Sequence, residues 1–183
     1  MSNNSLTDLH SLVWTALMAA AISAGAYLIV PIGPVPVSMQ PFFVFLAGFI
    51  LGARNGALAV ALYILAGTIG LPVFSGGKSG LGHLLGPTGG YLIGFVGSAW
   101  VCGLARHHEK LIPWSKGLAF GSMALLLVYG VGAGWLMFAL DLSVYKAWLV
   151  GVVPFIPWDA VKVIVALLCV RYLARFNLLP GQR

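Results

Sequence analysis

The stretch "ALAVALYILAGTIGLPVF", residues 57–74, decides the fold of this chain, because it is long and apolar and carries no charged residue. An uncharged apolar run of about 18 residues is typical of a membrane-spanning helix and is too long for one strand of a soluble sheet. The next residues, "SGGKSG" at 75–80, resemble the end of a phosphate-binding loop, but that pattern needs a glycine where this chain has Pro72. We therefore predict a loop of a membrane protein here and not a nucleotide site.

The composition of the whole chain also indicates that its surroundings are a lipid membrane and not water. The 183 residues are 60% hydrophobic and only 8% charged, whereas soluble domains have about 25% charged residues. Five to seven spans of roughly 20 residues each would use nearly the whole length. We therefore predict a single integral membrane domain over 1–183, in contact with lipid. The net charge of +6 does not predict nucleic-acid binding, because no interleaved aromatic and basic surface accompanies it.

The apolar runs predict an all-α membrane protein with six transmembrane helices, of which the second is short and the sixth is interrupted. These helices lie near 12–30, 37–53, 55–72, 88–105, 117–140 and 147–172. Lys and Arg collect in the cytoplasmic connections of membrane proteins. With both termini inside, the inner set is Arg54, Arg106, Lys110, Lys116, Arg171, Arg175 and Arg183, and the outer connections hold only Lys78 and Lys146. This asymmetry predicts that both termini are cytoplasmic.

Two outer connections are rich in Pro and Gly, "PIGPVPVS" at 31–38 and "FSGGKSGLGHLLGPTGG" at 74–90. Non-helical backbone near membrane depth survives only where it is buried in protein or lines a polar cavity, because lipid cannot satisfy its N–H and C=O groups. These segments are therefore either ordinary turns outside the membrane or the mouth of a pocket.

A charged pair interrupts the last apolar run, "VPFIPWDAVKVIVALL" at 153–168. Asp159 and Lys162 are three residues apart, so they share one face of a helix and can touch. A charge near the bilayer centre costs about 2.5–3.5 kcal/mol and normally faces the protein interior. The pair therefore either marks a binding site or is a self-satisfied ion pair that fixes packing. The preceding prolines predict that the regular helix restarts near Trp158, with Asp159 in its first turn.

Other candidates for a pocket are a polar side chain and several aromatic ones. Gln40 lies at the entry to the second helix. Apolar walls for a small-molecule pocket are available from Phe42, Phe43, Phe45, Phe74, Tyr91 and Trp158, although aromatic belts at the membrane interface use the same residue types. No metal or other cofactor is predicted, because the two Cys and four His show no ligand spacing.

The first helix carries a face of small residues. Ala16, Ala20 and Ala24 recur at intervals of four in "TALMAAAISAGAY", residues 15–27. Small residues at this spacing let another helix approach closely. The approaching helix belongs either to this chain or to a partner.

With these residues in view, the chain resembles the BioY family, the biotin-specific substrate-binding (S) component of energy-coupling factor (ECF) transporters. The resemblance runs over nearly the whole chain. It is densest in "GPVPVSMQPFFVFLAGFILGARNGALAVALYILAGTIGLPVF", at 33–74, continues in "GGKSGLGHLLGPTGGYLIGF", at 76–95, and returns in "PFIPWDAVKVIVA", at 154–166. The fifth helix is generic and adds little.

The resemblance implies the ECF S-component fold, with biotin bound near the outer face of a bacterial cytoplasmic membrane. It also implies one transmembrane coupling protein and two ABC-type ATPase subunits as partners, so nucleotide would bind to the partners. It assigns biotin binding to Asp159 and Lys162 in an intact Pro-x-Asp-x-x-Lys pattern, and makes Gln40, Phe43, Phe74, Lys78, Tyr91 and Trp158 further candidates. It assigns docking of the coupling protein to Ala16, Ala20 and Ala24.

Three other functions are open at this stage. An S component for a different vitamin would share the architecture. An intramembrane enzyme would use Asp159 and Lys162 as an acid/base pair, but no nucleophile and base at a recognisable spacing accompany them. A structural scaffold would have no use for a charged pair inside an apolar helix.

Overall fold

The structure is a computed structural model that describes residues 3–31, 34–106 and 111–180, with side chains described from residue 9 onward. Lys110 and Arg183, which the charge asymmetry assigned to the inner face, lie outside the described residues. The helices are α1 (Asn3–Gly25), α2 (Gln40–Thr68), α3 (Leu81–Leu84), α4 (Gly89–Leu104), α5 (Trp114–Leu140), α6 (Val144–Gly151) and α7 (Ile156–Arg175). Two short strands, β1 (Ile29–Val30) and β2 (Val37–Ser38), complete the fold.

The two strands replace the end of the first predicted helix and the start of the second. The helix predicted for 12–30 ends at Gly25, and β1 pairs antiparallel with β2, with Ile29 opposite Ser38. The reason is local, because Pro31 disfavours the helical conformation at Val30, the residue before it in β1, and Pro36 does the same at Val35. The helix predicted from residue 37 therefore begins only at Gln40.

The second and third predicted helices form one hydrogen-bonded element, α2, with a sharp break at Gly52. Gly52 has φ 80° and ψ 177°, a conformation that glycine adopts readily because it has no Cβ. A Cβ added to Gly56 would lie 2.8 Å from the Cα of Gly48, although eight residues of straight helix rise about 12 Å. The two halves, 40–51 and 53–68, are therefore folded against each other as a helical hairpin, with the break two residues before the predicted boundary at Arg54.

The last predicted helix is interrupted, as expected, and forms α6 and α7 with a bend of 51° between them. The Oγ of Ser143 caps α6 by accepting a hydrogen bond from the backbone N–H of Lys146. Helix α7 restarts at Ile156, two residues before the predicted position, with a proline in its first turn. Asp159 lies in that first turn as predicted.

Two groups of buried side chains form the core, one toward each end of the helices. The first group includes Phe45, Phe49 and Leu167, and the second includes Tyr63 and Phe74. Helix α4 lies between α2 and α5 and contacts both. The second group surrounds the cavity described below.

Among the described residues, α5 is long and apolar enough to cross a membrane, and α2 reaches that length only when it is counted across its break at Gly52. The bent pair α6 and α7 qualifies as a further span. The apolar part of α1 (Leu9–Gly25) and α4 are shorter. Basic residues gather at one end, where Arg106 donates to the backbone oxygen of Pro180, and Arg171 donates to that of Ile112. The count of six spans and the cytoplasmic position of the termini stay predictions.

Candidate functional site

A cavity opens at the end of the molecule away from Arg106 and Arg171. The centre of a water molecule can occupy only about 40 Å³ of it, and all of its empty space, including solvent at the open mouth, amounts to about 510 Å³. Its walls are formed by the hairpin of β1 and β2 (the β-hairpin), the start of α2, the connection between α2 and α4, and helices α4, α5 and α7. The lining residues are Val35, Pro36, Ser38, Gln40, Pro41, Ser75, His83, Thr88, Tyr91, Leu92, Phe95, Val128, Tyr129, Phe155, Asp159 and Lys162.

The predicted charged pair lies in the wall of this cavity. Asp159 is 3% exposed and Lys162 is 7% exposed. The Nζ of Lys162 lies 2.7 Å from Oδ1 of Asp159 and also donates to the backbone oxygen of Ser38 at 2.7 Å. The hydroxyl of Tyr129 donates to Oδ2 of Asp159 at 3.0 Å. Buried charges need such partners, since an unpaired one is strongly destabilising.

Gln40 also lines the cavity, as predicted, but its amide is engaged within the protein. The side chain is 2% exposed. Its Oε1 accepts from the hydroxyl of Ser38 at 3.1 Å and from that of Ser75 at 2.9 Å. Its Nε2 donates to the hydroxyl of Tyr63. Gln40 thus joins the β-hairpin, the loop after α2 and the second half of α2.

The loop after α2 covers one side of the cavity. Phe74 is fully buried behind the lining, edge-on to Tyr63 with ring centroids 5.7 Å apart and stacked on His83 at 5.1 Å. His83 faces the cavity, and its Nε2 lies 3.3 Å from the hydroxyl of Thr88. Burial lowers the pKa of the His83 imidazole below its ordinary value, and the charge of Lys78 lowers it further. The imidazole is therefore neutral near pH 7.

The other predicted pocket residues divide into one that lines the cavity and three that do not. Tyr91 lines it, and its hydroxyl donates to the backbone oxygen of Gly151 at 2.7 Å. Lys78 is exposed on a turn, and the backbone oxygen of Lys78 closes this turn by accepting a hydrogen bond from the N–H of Phe74. Trp158 is 59% exposed, because it is one residue, and so about a quarter turn of helix, away from Asp159. Phe43 packs beside Gly25 of α1.

Several polar lining residues were missed by the sequence analysis. Tyr129 is the most important, since it contacts Asp159 from a helix that looked generic. The available signal was a hydroxyl inside an apolar run, because buried tyrosines usually find a hydrogen-bond partner. Ser38, Ser75 and Thr88 lie in or beside the two outer segments that were predicted to form a pocket mouth.

The small-residue face of α1 lies on the surface. Ala16, Ala20 and Ala24 are all exposed, while the opposite side of the helix buries Met18 and Ile22. Of the two alternatives left open by the sequence, a contact inside this chain is therefore wrong.

Comparison with known proteins gives a consistent family. The model of the BioY family matches residues 1–177. The biotin transporter BioY of Thermotoga maritima is 42% identical over 160 residues, which cover 87% of this chain and 93% of that protein. The biotin transporter BioY of Rhizobium etli is 38% identical over 185 residues, which cover 94% of this chain and 98% of that protein.

A solved structure agrees with these relatives. The crystal structure of the S-component for biotin from an ECF-type ABC transporter superposes with a TM-score of 0.83 at 30% sequence identity, covering 98% of this chain and 99% of that one. The fold is thus that of an ECF S component, a multi-pass membrane protein, as predicted. By family model, by relatives over most of its length and by fold, the chain belongs to the BioY family.

Proposed function

We propose that this chain takes up biotin, which it captures from the outer side of the membrane as the substrate-binding component of an ECF-type ABC transporter. The observation that carries the proposal is the buried pair of Asp159 and Lys162 in the wall of a mostly apolar cavity. The relatives are named as biotin transporters and the matched structure as a biotin S component, which supports a transporter component and not an enzyme.

Biotin fits the chemistry of this cavity. Its ureido group presents two N–H donors and one carbonyl, its rings are apolar, and its tail ends in a carboxylate. A buried carboxylate is a strong acceptor for the N–H groups, and an ammonium is a strong donor to the carbonyl or the tail. Asp159 and Lys162 supply both groups side by side, and Leu92, Phe95 and Phe155 supply apolar wall.

The transport cycle that we propose makes and breaks no covalent bond. Biotin enters at the cavity mouth and is covered by the loop at 73–90. The loaded protein then reorients in a bacterial cytoplasmic membrane, driven by ATP hydrolysis in two ABC-type ATPase partners through a transmembrane coupling protein. The basic end around Arg106 and Arg171 faces the cytoplasm in this arrangement, in keeping with the positive-inside rule.

The test of the ligand is direct binding to the purified chain. We expect labelled biotin to bind in detergent at one site per chain by equilibrium dialysis, without displacement by excess thiamine or riboflavin, and to be recovered unchanged. Displacement by another vitamin would instead identify an S component for that vitamin. Chemical conversion of the biotin would show an enzyme, and no binding by a monodisperse chain would contradict the proposal.

The exposed face of Ala16, Ala20 and Ala24 is the proposed docking surface for the coupling protein. Small residues let a partner helix approach closely, and Ala20 is central in the face. We expect Ala20→Leu to abolish co-purification with the coupling protein while leaving biotin binding intact. The matched control is Ala139→Leu, an exposed alanine near the end of α5. Equal co-purification of the two variants would contradict this docking surface.

A further inference from the structure

Four polar side chains form a hydrogen-bonded group, the Gln40 cluster, which consists of Ser38, Gln40, Tyr63 and Ser75. Gln40 is its centre, since it alone contacts the other three. The cluster continues to the charged pair, because the Nζ of Lys162 donates to the backbone oxygen of Ser38. Hydrogen bonds to the backbone and to the side chain of Ser38 therefore link Asp159 on α7 to the loop after α2.

The hydrogen-bonding capacity of Gln40 is nearly used up by these contacts. An amide oxygen has two lone pairs and an amide nitrogen has two N–H donors. The hydroxyls of Ser38 and Ser75 occupy both lone pairs, and Tyr63 accepts from one N–H. A ligand that took the amide oxygen would have to displace one of the two serines. The capacity of Gln40 is thus spent on holding protein segments together.

The bond from Ser75 fixes the loop to the wall of the cavity. Nearby backbone bonds hold the same loop at its outer side, from the Gly76 N–H to Ala26 O at 3.1 Å and from the Gly80 N–H to Gly67 O at 2.7 Å. Ser75 itself lines the cavity. The loop must therefore release Ser75 from Gln40, in addition to these backbone bonds, before it can swing away from the cavity.

We propose that Gln40 is a positioning residue that latches the loop at 74–80 to the β-hairpin and to α2. We also propose that its bond to Ser75 controls how fast bound biotin leaves. The second part rests on the proposed function. The first part concerns the protein alone, so the two parts are measured separately.

The latch is tested in the ligand-free protein with Ser75→Ala. Loss of one net hydrogen bond raises the open fraction of the loop roughly 2- to 10-fold. We expect backbone hydrogen exchange at residues 76–80 to accelerate by that factor, with exchange in α5 unchanged. The matched control is Ser79→Ala, in the same loop but exposed, for which we expect exchange at the wild-type rate. Equal exchange in both variants would overturn the latch.

The role in exit is tested by the dissociation rate of labelled biotin in the same variants. Ser75→Ala should release biotin roughly 2- to 10-fold faster than wild type and Ser79→Ala. Gln40→Met should have at least as large an effect, and adding Ser75→Ala to it should change the rate no further, because the partner of Ser75 is already gone. Additive effects of the two substitutions would overturn the proposal that they act through one bond.

The two experiments separate the two possible failures. Faster hydrogen exchange without any biotin binding by wild type would contradict the proposed function and leave the latch standing. Wild-type exchange and wild-type release in Ser75→Ala, with biotin bound, would overturn the latch and leave biotin capture standing. A purely structural role of Gln40 would lower the melting temperature without this dependence on Ser75.

Discussion

Asp159→Asn and Lys162→Met are each expected to weaken biotin binding by at least about 100-fold, or roughly 2.8 kcal/mol. The reason is the position of the pair in the cavity wall. Asp159 offers its carboxylate and Lys162 its ammonium to a ligand in a buried site, where hydrogen bonds to charged groups contribute roughly 1.5–3 kcal/mol each. The measurement is equilibrium dialysis of labelled biotin against each purified variant.

Folding must be separated from binding in this experiment, because removing one member of a buried ion pair leaves a buried charge and destabilises by about 3–5 kcal/mol. The double variant Asp159→Asn/Lys162→Met removes both charges and is expected to melt within a few degrees of wild type while failing to bind biotin. Matched controls are Asp141→Asn and Lys146→Met, which change exposed charges at the same end of the molecule. Near wild-type affinity for biotin in the folded double variant would contradict the assignment of biotin binding to Asp159 and Lys162.

Gly103→Ala is expected to lower the melting temperature in detergent by about 2–12 °C. A Cβ at Gly103 would lie 2.2 Å from the backbone N of Ala53 and 2.3 Å from the backbone C of Gly52. Backbone atoms cannot rotate away as a side chain can, so α4 would have to separate from α2 at its break. Overpacking of this kind costs about 1–3 kcal/mol or more, and 1 kcal/mol corresponds to roughly 2–4 °C in a chain of this size.

The control for this prediction is Gly130→Ala on α5. A Cβ at Gly130 would meet nothing within 4 Å, and alanine is favoured over glycine in a helix by about 1 kcal/mol. We expect Gly130→Ala to melt at or above the wild-type temperature. If Gly103→Ala is as stable as Gly130→Ala, the contact between α4 and the break in α2 does not limit stability.

Much of the helical architecture could be read from the order of apolar residues. Helices α4 and α5 lie within three residues of their predicted bounds, and the predicted interruption of the last helix appears between α6 and α7. These features depend on local chemistry, which is the length of an apolar run and the positions of proline. The hairpin at β1 and β2 was missed because its strands have only two residues each, too short for any periodicity.

Part of the candidate site could also be predicted from the sequence. Asp159 and Lys162 meet because three residues along a helix place them on one face, and their charge in an apolar run marks them. Their other partners come from far away, Tyr129 at a separation of 30 residues and Ser38 at 124. The Gln40 cluster depends on contacts of the same kind, with Tyr63 at a separation of 23 residues and Ser75 at 35.

The sequence by itself determined a helical membrane protein with a charged pair in its last helix, because hydropathy, proline positions and helical spacing act over a few residues. Its resemblance to the BioY family rested on the motifs at 33–74, 76–95 and 154–166. Only the tertiary structure decided that Ala16, Ala20 and Ala24 lie on the surface, that Tyr129 and Ser38 complete the charged pair, and that Gln40 ties the outer loop to the core. Each of these depends on which side a helix turns toward its neighbours, and that is fixed by the packing of all the helices together.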